Sequence, residues 1–525
     1  MSFAFALVVA LASGFIALSY EILWYRVIAF ASWGLPGAFG LLLAAYLFGL
    51  AIGSRVAGFF CSDERRAFDP RQLRALAAFV FVANIVAWLV VPTFGWVAKR
   101  WEWPPALIMV ALSAALLGAI LPLVAHFGIA PDDRAGQKLS YVYLANIVGS
   151  AIGSLVTGFV FLDIWPIQTI GAVIALSGMV LVLLLIARSD FRGAMRGVGL
   201  GLVALAAVLL FVVTPRVYDR VWERLHYRSK FADTSKFAEV IETKSGVITV
   251  TQDGTVYGGG AYDGRFNTSI RWDRNGILRA YAVGAMHPAP KKVLMIGLAS
   301  GSWATVIANL PGVEHLTIVE INPGYLRLIE KHPEVSAILH DPKVDIVVDD
   351  GRRWLHRHAP SESTKFDVIV MNTTWHWRAH ITNLLSTEFM DLARAHLLPG
   401  GIFYFNTTSS PDVQKTAVTH FPYAMRVYNF VAVSDSPIVF DKNRWDHTLQ
   451  DFKIAGTPAI DRATEDGRKF YEELLGYADT IREPPSNEGL ETRESIAARV
   501  PWATVITDDN MAPEWIKVLR FQDAP

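Results

Sequence analysis

Five positions near the middle of the chain have the residue types and spacing to hold a nucleoside. Gly297 and Gly301 flank a turn in KKVLMIGLASGS, which begins at Lys291 and runs into an apolar segment from Trp303. A strand, a glycine turn and a helix start, in that order, let a ligand reach main-chain N–H groups with no side chain in the way. Glu320 lies about 20 residues further on, at the end of HLTIVE, where a carboxylate can accept hydrogen bonds from both hydroxyls of a ribose. Asp350 and Gly351 close another apolar run, VDIVVDDG. Alone, Glu320 reads as a strand-end acid or a helix N-cap; beside the glycine turn and Asp350 it belongs to a convergent group. Asp349 and Asp350 are neighbours on an extended strand and point to opposite faces, so they are not an acid/base dyad.

A second group has reactive types without a visible partner. The run FDVIVMN ends in Asn372 and continues as Thr373, Thr374, Trp375, His376, Trp377, Arg378, Ala379 and His380. An imidazole titrates near neutrality, so His376 or His380 is a candidate base. The competing reading is a lid that packs its aromatic rings on a sheet. Residues 507–510, TDDN, read more simply as a solvated turn. The single cysteine, Cys61, excludes an internal disulfide framework and a cysteine-based zinc cluster, and no metal is expected.

Positioning these residues requires a frame. Strand-like runs at 315–322, 344–351, 366–372 and 400–407 follow the first at Lys291, with helix-length gaps between them. That alternation predicts a parallel, doubly wound α/β sheet of Rossmann-like type, with its ligand at the C-terminal ends of the strands. Ahead of it, EVIETKSGVITVT at 239–251, an Asp253-Gly254 turn and three glycines at 258–260 predict a small β-rich subdomain.

The first part of the chain is different in kind. Residues 1–214 hold 13 basic and 9 acidic side chains, whereas the remaining 311 hold 35 and 39. Apolar stretches near 3–20, 37–59, 76–97, 105–127, 139–161, 167–187 and 198–213 are of the length needed to cross a bilayer, which takes roughly 20 residues. The expectation is an α-helical transmembrane bundle of about seven spans at 1–214. A linker and the β-rich subdomain follow at 215–290, then the α/β domain with a C-terminal extension at 291–525. Small residues four apart, at Ala45, Gly49 and Gly53 and at Gly149 and Gly153, predict close helix packing. Asn84 and Asn146 read as interhelical hydrogen-bond partners; Glu21, an acid in an apolar run, reads either as part of an ion or substrate path or, preferably, as one half of an interfacial ion pair with Arg26. Zero net charge overall gives no electrostatic reason to expect nucleic-acid binding.

The order of several pieces is specific. YDGRFN at 262–267, HPAPKKVLMIGLASGS, VEIN at 319–322, DPKVDIVVDDGRRWL, FDVIV, LLSTEF at 384–389 and LLPGG follow one another over the residues from about 239 to 407. This stretch resembles the spermidine synthase (polyamine aminopropyltransferase) family, a branch of the S-adenosylmethionine-type methyltransferase fold. SYEILWYR, GLAIGS, LLGAILPL and YLANIVGSAIGS are similar to segments of bacterial membrane proteins that fuse such a domain to a multi-helix bundle. The resemblance implies that Gly297 and Gly301 line the methionine-nucleoside site, Glu320 holds the ribose, and Asp350 with Gly351 the adenine. Asp263 and Asn267 would shape the acceptor side, with Asn where Gln is usual, and the 507–510 run resembles a tail motif of the family.

The departures from the family pattern fall on one half of that site. Family synthases carry an Asp after the fourth strand to deprotonate and orient the attacking amine; here Asn372 and Thr373 stand there, and an amide cannot accept a proton. The Tyr-His-Glu acceptor segment is replaced around Arg274–Arg279, and Ser300 stands where Asp is common. Asn372, Thr373, Trp375, His376, Arg378 and Asp263 are therefore the candidate catalytic residues. Displacement at a sulfonium needs little acid–base help, because the leaving thioether is neutral and positioning supplies much of the rate.

The resemblance implies a membrane-integrated enzyme that takes S-adenosylmethionine or its decarboxylated form as substrate and releases methylthioadenosine, with a polyamine or other amine as acceptor. Three alternatives stay open: a lyase in which the nucleoside's own carboxylate attacks its chain, a methyltransferase, and a non-catalytic polyamine or nucleoside sensor or transporter. The expected partners are the lipid bilayer and a sulfonium nucleoside; a second copy of the chain stays open. The expected location is the bacterial inner membrane, with the α/β domain in the cytoplasm where such nucleosides are made. Loop charge points the other way. Arg65, Arg66, Arg71, Arg74, Arg134, Lys138, Arg188, Arg192 and Arg196 fall in the second, fourth and sixth loops, against Arg26, Lys99 and Arg100 in the others. The positive-inside rule with seven spans would place the domain outside.

Overall fold

The computed structural model describes residues 1–61, 71–189, 193–372, 374–481, 489–511 and 514. The chain divides into two compact units. One comprises Met1–Trp33, Gly37–Phe237 and Glu242–Gly246, and the other Gly34–Pro36, Ala238–Ile241 and Val247–Pro525.

Among the described residues of the first unit, seven helices are long and apolar enough to cross a membrane: Phe3–Ala31, Gly37–Phe60, Leu73–Ala98, Pro104–Gly128, Ala135–Ile164, Ile167–Arg188 and Met195–Lys230. Their closest contacts are made where no side chain intervenes. A Cβ on Gly49 or Gly53 would lie 2.2 or 1.9 Å from the carbonyl oxygen of Ala111 or Ala115, and one on Gly149 or Gly153 would lie 1.9 or 2.3 Å from that of Leu11 or Phe15. Small residues thus let helix backbones touch, which is how helices associate when the solvent is as apolar as they are. Asn84 accepts from the Tyr20 hydroxyl at 2.9 Å and donates to the Ala175 carbonyl at 2.9 Å, and Asn146 donates to the Ala10 carbonyl at 3.1 Å. The expected Glu21–Arg26 pair does not form: Arg26 instead donates to the Lys244 carbonyl at 2.8 Å. The stretch 215–237, expected as a linker, holds a further helix, Val221–Tyr227, whose apolar Val221, Trp222 and Leu225 are buried.

A four-stranded sheet in the order β1 (Glu239–Thr243), β2 (Gly246–Val250), β3 (Thr255–Gly258), β4 (Ala261–Arg265), all but Glu242–Gly246 of it in the second unit, precedes an eight-stranded one. The larger sheet is built from β5 (Lys292–Ile296), β6 (His315–Glu320), β7 (Val344–Val348), β8 (Phe366–Met371), β9 (Leu397–Asn406), β10 (Tyr423–Val427), β11 (Phe430–Ser434) and the short strand Leu490–Thr492. Its order begins β7-β6-β5-β8-β9, all parallel, then continues through β11 and β10 to the Leu490–Thr492 strand by antiparallel pairs. The sheet is therefore mixed where the strand–helix alternation predicted a parallel one. The reason is local: Tyr428 and Asn429 alone join β10 to β11, and a connection that short can only make an antiparallel pair.

Both faces of the parallel part are covered. Val293, Met295, Val368, Val370, Ile402 and Tyr404 belong to one apolar cluster, and their sequence neighbours Leu294, Ile296, Ile369, Met371, Phe403 and Phe405 to the other. The period of two along each strand sends alternate side chains to opposite faces, which is why these runs read as continuously apolar. Each fully buried side chain of this size contributes roughly 1.5–3 kcal/mol, so the strand ends are held on a rigid base. The 441–506 region, which matched no expected element, supplies the helices Lys442–Asp451, Glu465–Leu475 and Arg493–Arg499.

Candidate functional site

The glycine turn leaves β5 at Ile296 and enters the Ser302–Ala308 helix. Gly297, Ala299 and Gly301 take φ values of 92°, 47° and 78°. Three left-handed residues in five fold the backbone tightly, and glycine is the residue that accepts this conformation without strain. Glu320, at the end of β6, lies under the turn and is 3% exposed. Its carboxylate accepts the Leu298 N–H at 2.7 Å on one oxygen and the Asn322 N–H at 2.7 Å on the other. Burial pushes this acid up to about 7, against the pull of those main-chain donors.

The next strand end is more heavily occupied. Asp350 N-caps the Gly351–Arg357 helix, accepting the Arg353 N–H at 2.8 Å, while Asp349 pairs with the Arg353 and Arg357 side chains. Gly351 packs the helix onto β5, since a Cβ there would come within 2.6 Å of Ile296.

Asp263, on β4, accepts the Tyr325 hydroxyl. Burial raises it to about 6, opposed by that hydrogen bond and by the nearby Arg378 charge. Arg378 also donates to Thr374 Oγ1 at 3.0 Å. Ser300 and Ser302 both donate to the Arg265 carbonyl and the Asn267 N–H donates to Ser302 Oγ, so β4 and the glycine turn are stitched together.

A cavity of about 250 Å³ opens at the C-terminal ends of β5, β8 and β9. Asp263, Gly297, Asn372 and Trp375 line it together with Arg279, Asn406 and Asn429. Gly301, Glu320, Asp350, Gly351, His376 and Arg378 are not among its lining residues. Thr373 lies outside the described residues. The volume falls just below the roughly 300–1,000 Å³ of ordinary ligand pockets, so the cavity is the size of one compartment of a nucleoside site.

The wall after β8 and β9 is a chain of amides. Asn372 Oδ1 accepts from Asn406 at 3.3 Å; Asn406 Oδ1 accepts from Asn429 at 2.9 Å and from the Thr408 N–H at 2.8 Å; Asn429 Oδ1 accepts from Arg279. His376 Nδ1 lies 2.6 Å from Thr408 Oγ1, so that ring nitrogen already has a partner. His380 sits at φ 68° at the start of a short helical turn, and is not a lining residue either. Trp375 and Trp377 stack at 6.3 Å, with Trp377 buried, so the segment includes the aromatic packing expected of a lid as well as cavity wall.

Arg279, Asn406 and Asn429 were missed as site residues. A partial signal existed for Asn406, which ends β9 as Asn372 follows β8. The 507–510 run is also tied down: Asp508 pairs with Arg352 and accepts from Ser386 Oγ at 2.6 Å, where a solvated turn was expected. Among the described residues, no group of three or more His, Cys, Asp or Glu side chains is placed to hold a metal ion.

A sheet with a glycine turn over a buried strand-end acid places the domain in the Rossmann-like α/β class, whose ligand sites lie at the C-terminal ends of the strands. Residues 280–438 match the family model described as "Spermine/spermidine synthase domain". The polyamine aminopropyltransferase of Mycobacterium tuberculosis is 26% identical over 487 residues, covering 87% of this chain and 90% of that one. Polyamine aminopropyltransferase 2 of Streptomyces coelicolor is 28% identical over 382 residues, covering 69% of this chain and 66% of the relative. The solved spermidine synthase of Thermotoga maritima aligns at 18% identity with a TM-score of 0.32, covering 46% of this chain and 88% of that one. Residues 280–438 thus carry a domain of spermine/spermidine synthase type, and the chain is similar over much of its length to polyamine aminopropyltransferases.

Proposed function

We propose that the protein is a membrane-integrated transferase of spermidine synthase-like type, multi-pass in the bacterial inner membrane, with its α/β domain in the cytoplasm. Its substrate is S-adenosylmethionine or decarboxylated S-adenosylmethionine, and methylthioadenosine leaves as the neutral thioether. The observation that carries this reading is the cavity at the strand ends beside the Gly297–Gly301 turn, with Glu320 braced beneath that turn. Glu320 supports the ribose role because its carboxylate, with about four lone-pair sites, is met by the Leu298, Ala299 and Asn322 main-chain N–H groups and so keeps acceptor capacity for a hydroxyl. Gly297 and Gly301 give the nucleoside close access to main chain, Asp350 and Gly351 stand by the adenine, and Asp263 and Trp375 bound the compartment of the transferred group.

A second reading is favoured by one feature: the position after β8 holds Asn372, whose amide cannot take the proton of an attacking amine. In a lyase reaction the carboxylate of S-adenosylmethionine attacks the carbon attached to sulfur in its own chain. A C–O bond forms as the C–S bond breaks, and no proton need be removed. Incubating the purified protein with each sulfonium compound, with and without polyamines, and identifying products by mass tests both readings. Methylthioadenosine released only with an added amine supports transfer; release without one supports the lyase; no release from either compound refutes both.

A further inference from the structure

Arg279 is the one feature of the cavity that a diamine site does not explain. It stands on the short Leu278–Tyr281 helix, its guanidinium 5.4 Å from the ring of Trp303 and 4.9 Å from that of Phe430. Nε donates to the Gly276 carbonyl at 2.8 Å, Nη2 to the Asn275 carbonyl at 3.0 Å, and Nη1 to Asn429 Oδ1. All three partners are neutral, and among the described residues no carboxylate forms an ion pair with it. The nearby Asp273 carboxylate is occupied by the main-chain N–H groups of Asn275, Ile277 and Leu278. A guanidinium has five N–H donors, so these three bonds leave two for a ligand.

The rest of the lining has little to offer a cation. Asn275, Asn372, Asn406, Asn429, Ser300 and Thr408 are neutral, and Asp263, the only acid among the described lining residues, already has the Tyr325 hydroxyl and the Arg378 charge. A doubly charged diamine would enter without a free counter-charge, and an unpaired buried charge is strongly disfavoured. A carboxylate would instead meet a fixed, partly desolvated guanidinium that can bond it in two-pronged fashion.

We propose that this cavity binds the carboxylate of an amino-acid-type ligand at Arg279, where a diamine site would hold an ammonium group. The proposal rests on the nucleoside reading above. The carboxylate has two sources: the methionine arm of an intact sulfonium nucleoside, or a separate amino-acid acceptor.

The test uses calorimetry on the full-length protein in detergent, wild type and Asn429→Asp. This variant keeps Arg279 packed on its rings and places an internal carboxylate where the Asn429 amide oxygen now meets the guanidinium; Arg279→Met is the harsher companion. If the nucleoside supplies the carboxylate, S-adenosylmethionine binds about tenfold or more tightly than its decarboxylated form, and Asn429→Asp abolishes the preference. If an acceptor supplies it, methylthioadenosine-loaded protein binds 5-aminopentanoate in preference to putrescine, and the same variant removes that preference. Equal binding within both pairs, with methylthioadenosine bound, overturns the proposal while leaving the nucleoside reading intact. If methylthioadenosine does not bind, the nucleoside reading fails. The carboxylate site is then judged on the unloaded protein: Asn429-dependent binding of 5-aminopentanoate upholds it, and its absence overturns it.

Discussion

Replacing Glu320 with glutamine keeps the side chain's size and changes only what it can accept. In the wild type one oxygen takes the Leu298 N–H and the other the Asn322 N–H, both at 2.7 Å. An amide has one oxygen and one NH2, so in either orientation a donor faces a donor. Hydrogen bonds to a charged group are worth about 1.5–3 kcal/mol; losing one from beneath the glycine turn should weaken methylthioadenosine binding by about tenfold or more. The pH dependence separates a ribose-binding carboxylate from a purely structural one. Ribose hydroxyls donate, so the ionised form binds better, and burial holds this acid at about 7. Affinity should therefore rise about tenfold between pH 6 and pH 8 in the wild type and stay flat in Glu320→Gln. Stability of the unliganded protein runs the other way. The folded state keeps the proton up to about 7 whereas an unfolded chain releases it near 4.5, so this contribution is full below 4.5 and is lost as pH rises through 7. The apparent melting temperature of the wild type should fall across that window more than that of the variant. Calorimetry at three pH values and a melting series on the same samples read both effects. A dissociation constant unchanged by the mutation, and independent of pH in the wild type, would refute the ribose assignment.

Wild-type protein given decarboxylated S-adenosylmethionine and putrescine should form little or no spermidine, and Asn372→Asp alone should not restore synthesis, because Arg279 and the amide wall remain; robust putrescine-dependent spermidine in a mass assay would contradict this. Gly149→Val should destroy the detergent-stable fold, since even a Cβ would lie 1.9 Å from the Leu11 carbonyl oxygen, and size-exclusion chromatography should show aggregate where the wild type gives a single peak. Cys61, just past the Gly37–Phe60 helix, should react with a membrane-impermeant thiol reagent in intact cells if the α/β domain is cytoplasmic, because seven spans put that loop and the domain on opposite sides. Protection that disappears on lysis would argue for an external domain.

The features legible in the sequence are those made by neighbours along the chain. A strand, a glycine turn and a helix start are contiguous, so the Gly297–Gly301 turn could be read directly; Glu320 could be read because strand ends in such sheets gather at one edge. The seven apolar helices were legible for the same reason, length and composition being local. The β10–β11 hairpin was not, because Tyr428 takes its φ of 54° with no glycine to announce the turn. Arg279 was read only as part of a replaced segment, since its meaning depends on Asn429, 150 residues away. Asp508 looked like solvated turn chemistry because its partner Arg352 lies 156 residues earlier. Glu21 and Arg26 show the opposite error, in which proximity along a helix suggested a pair that the fold does not make.

The amide chain from Asn372 through Asn406 to Asn429 has a consequence for kinetics. Amides neither gain nor lose protons across the working range of an enzyme, so this wall can hold a nucleophile but cannot serve as its proton sink. Whatever attacks beside it must arrive in its reactive protonation state, a neutral amine or an ionised carboxylate, selected from solution. The alkaline limb of a rate profile at this wall would then belong to the substrate: an amine would drive a rise toward its own pKa, whereas a carboxylate, ionised throughout, would leave the profile level.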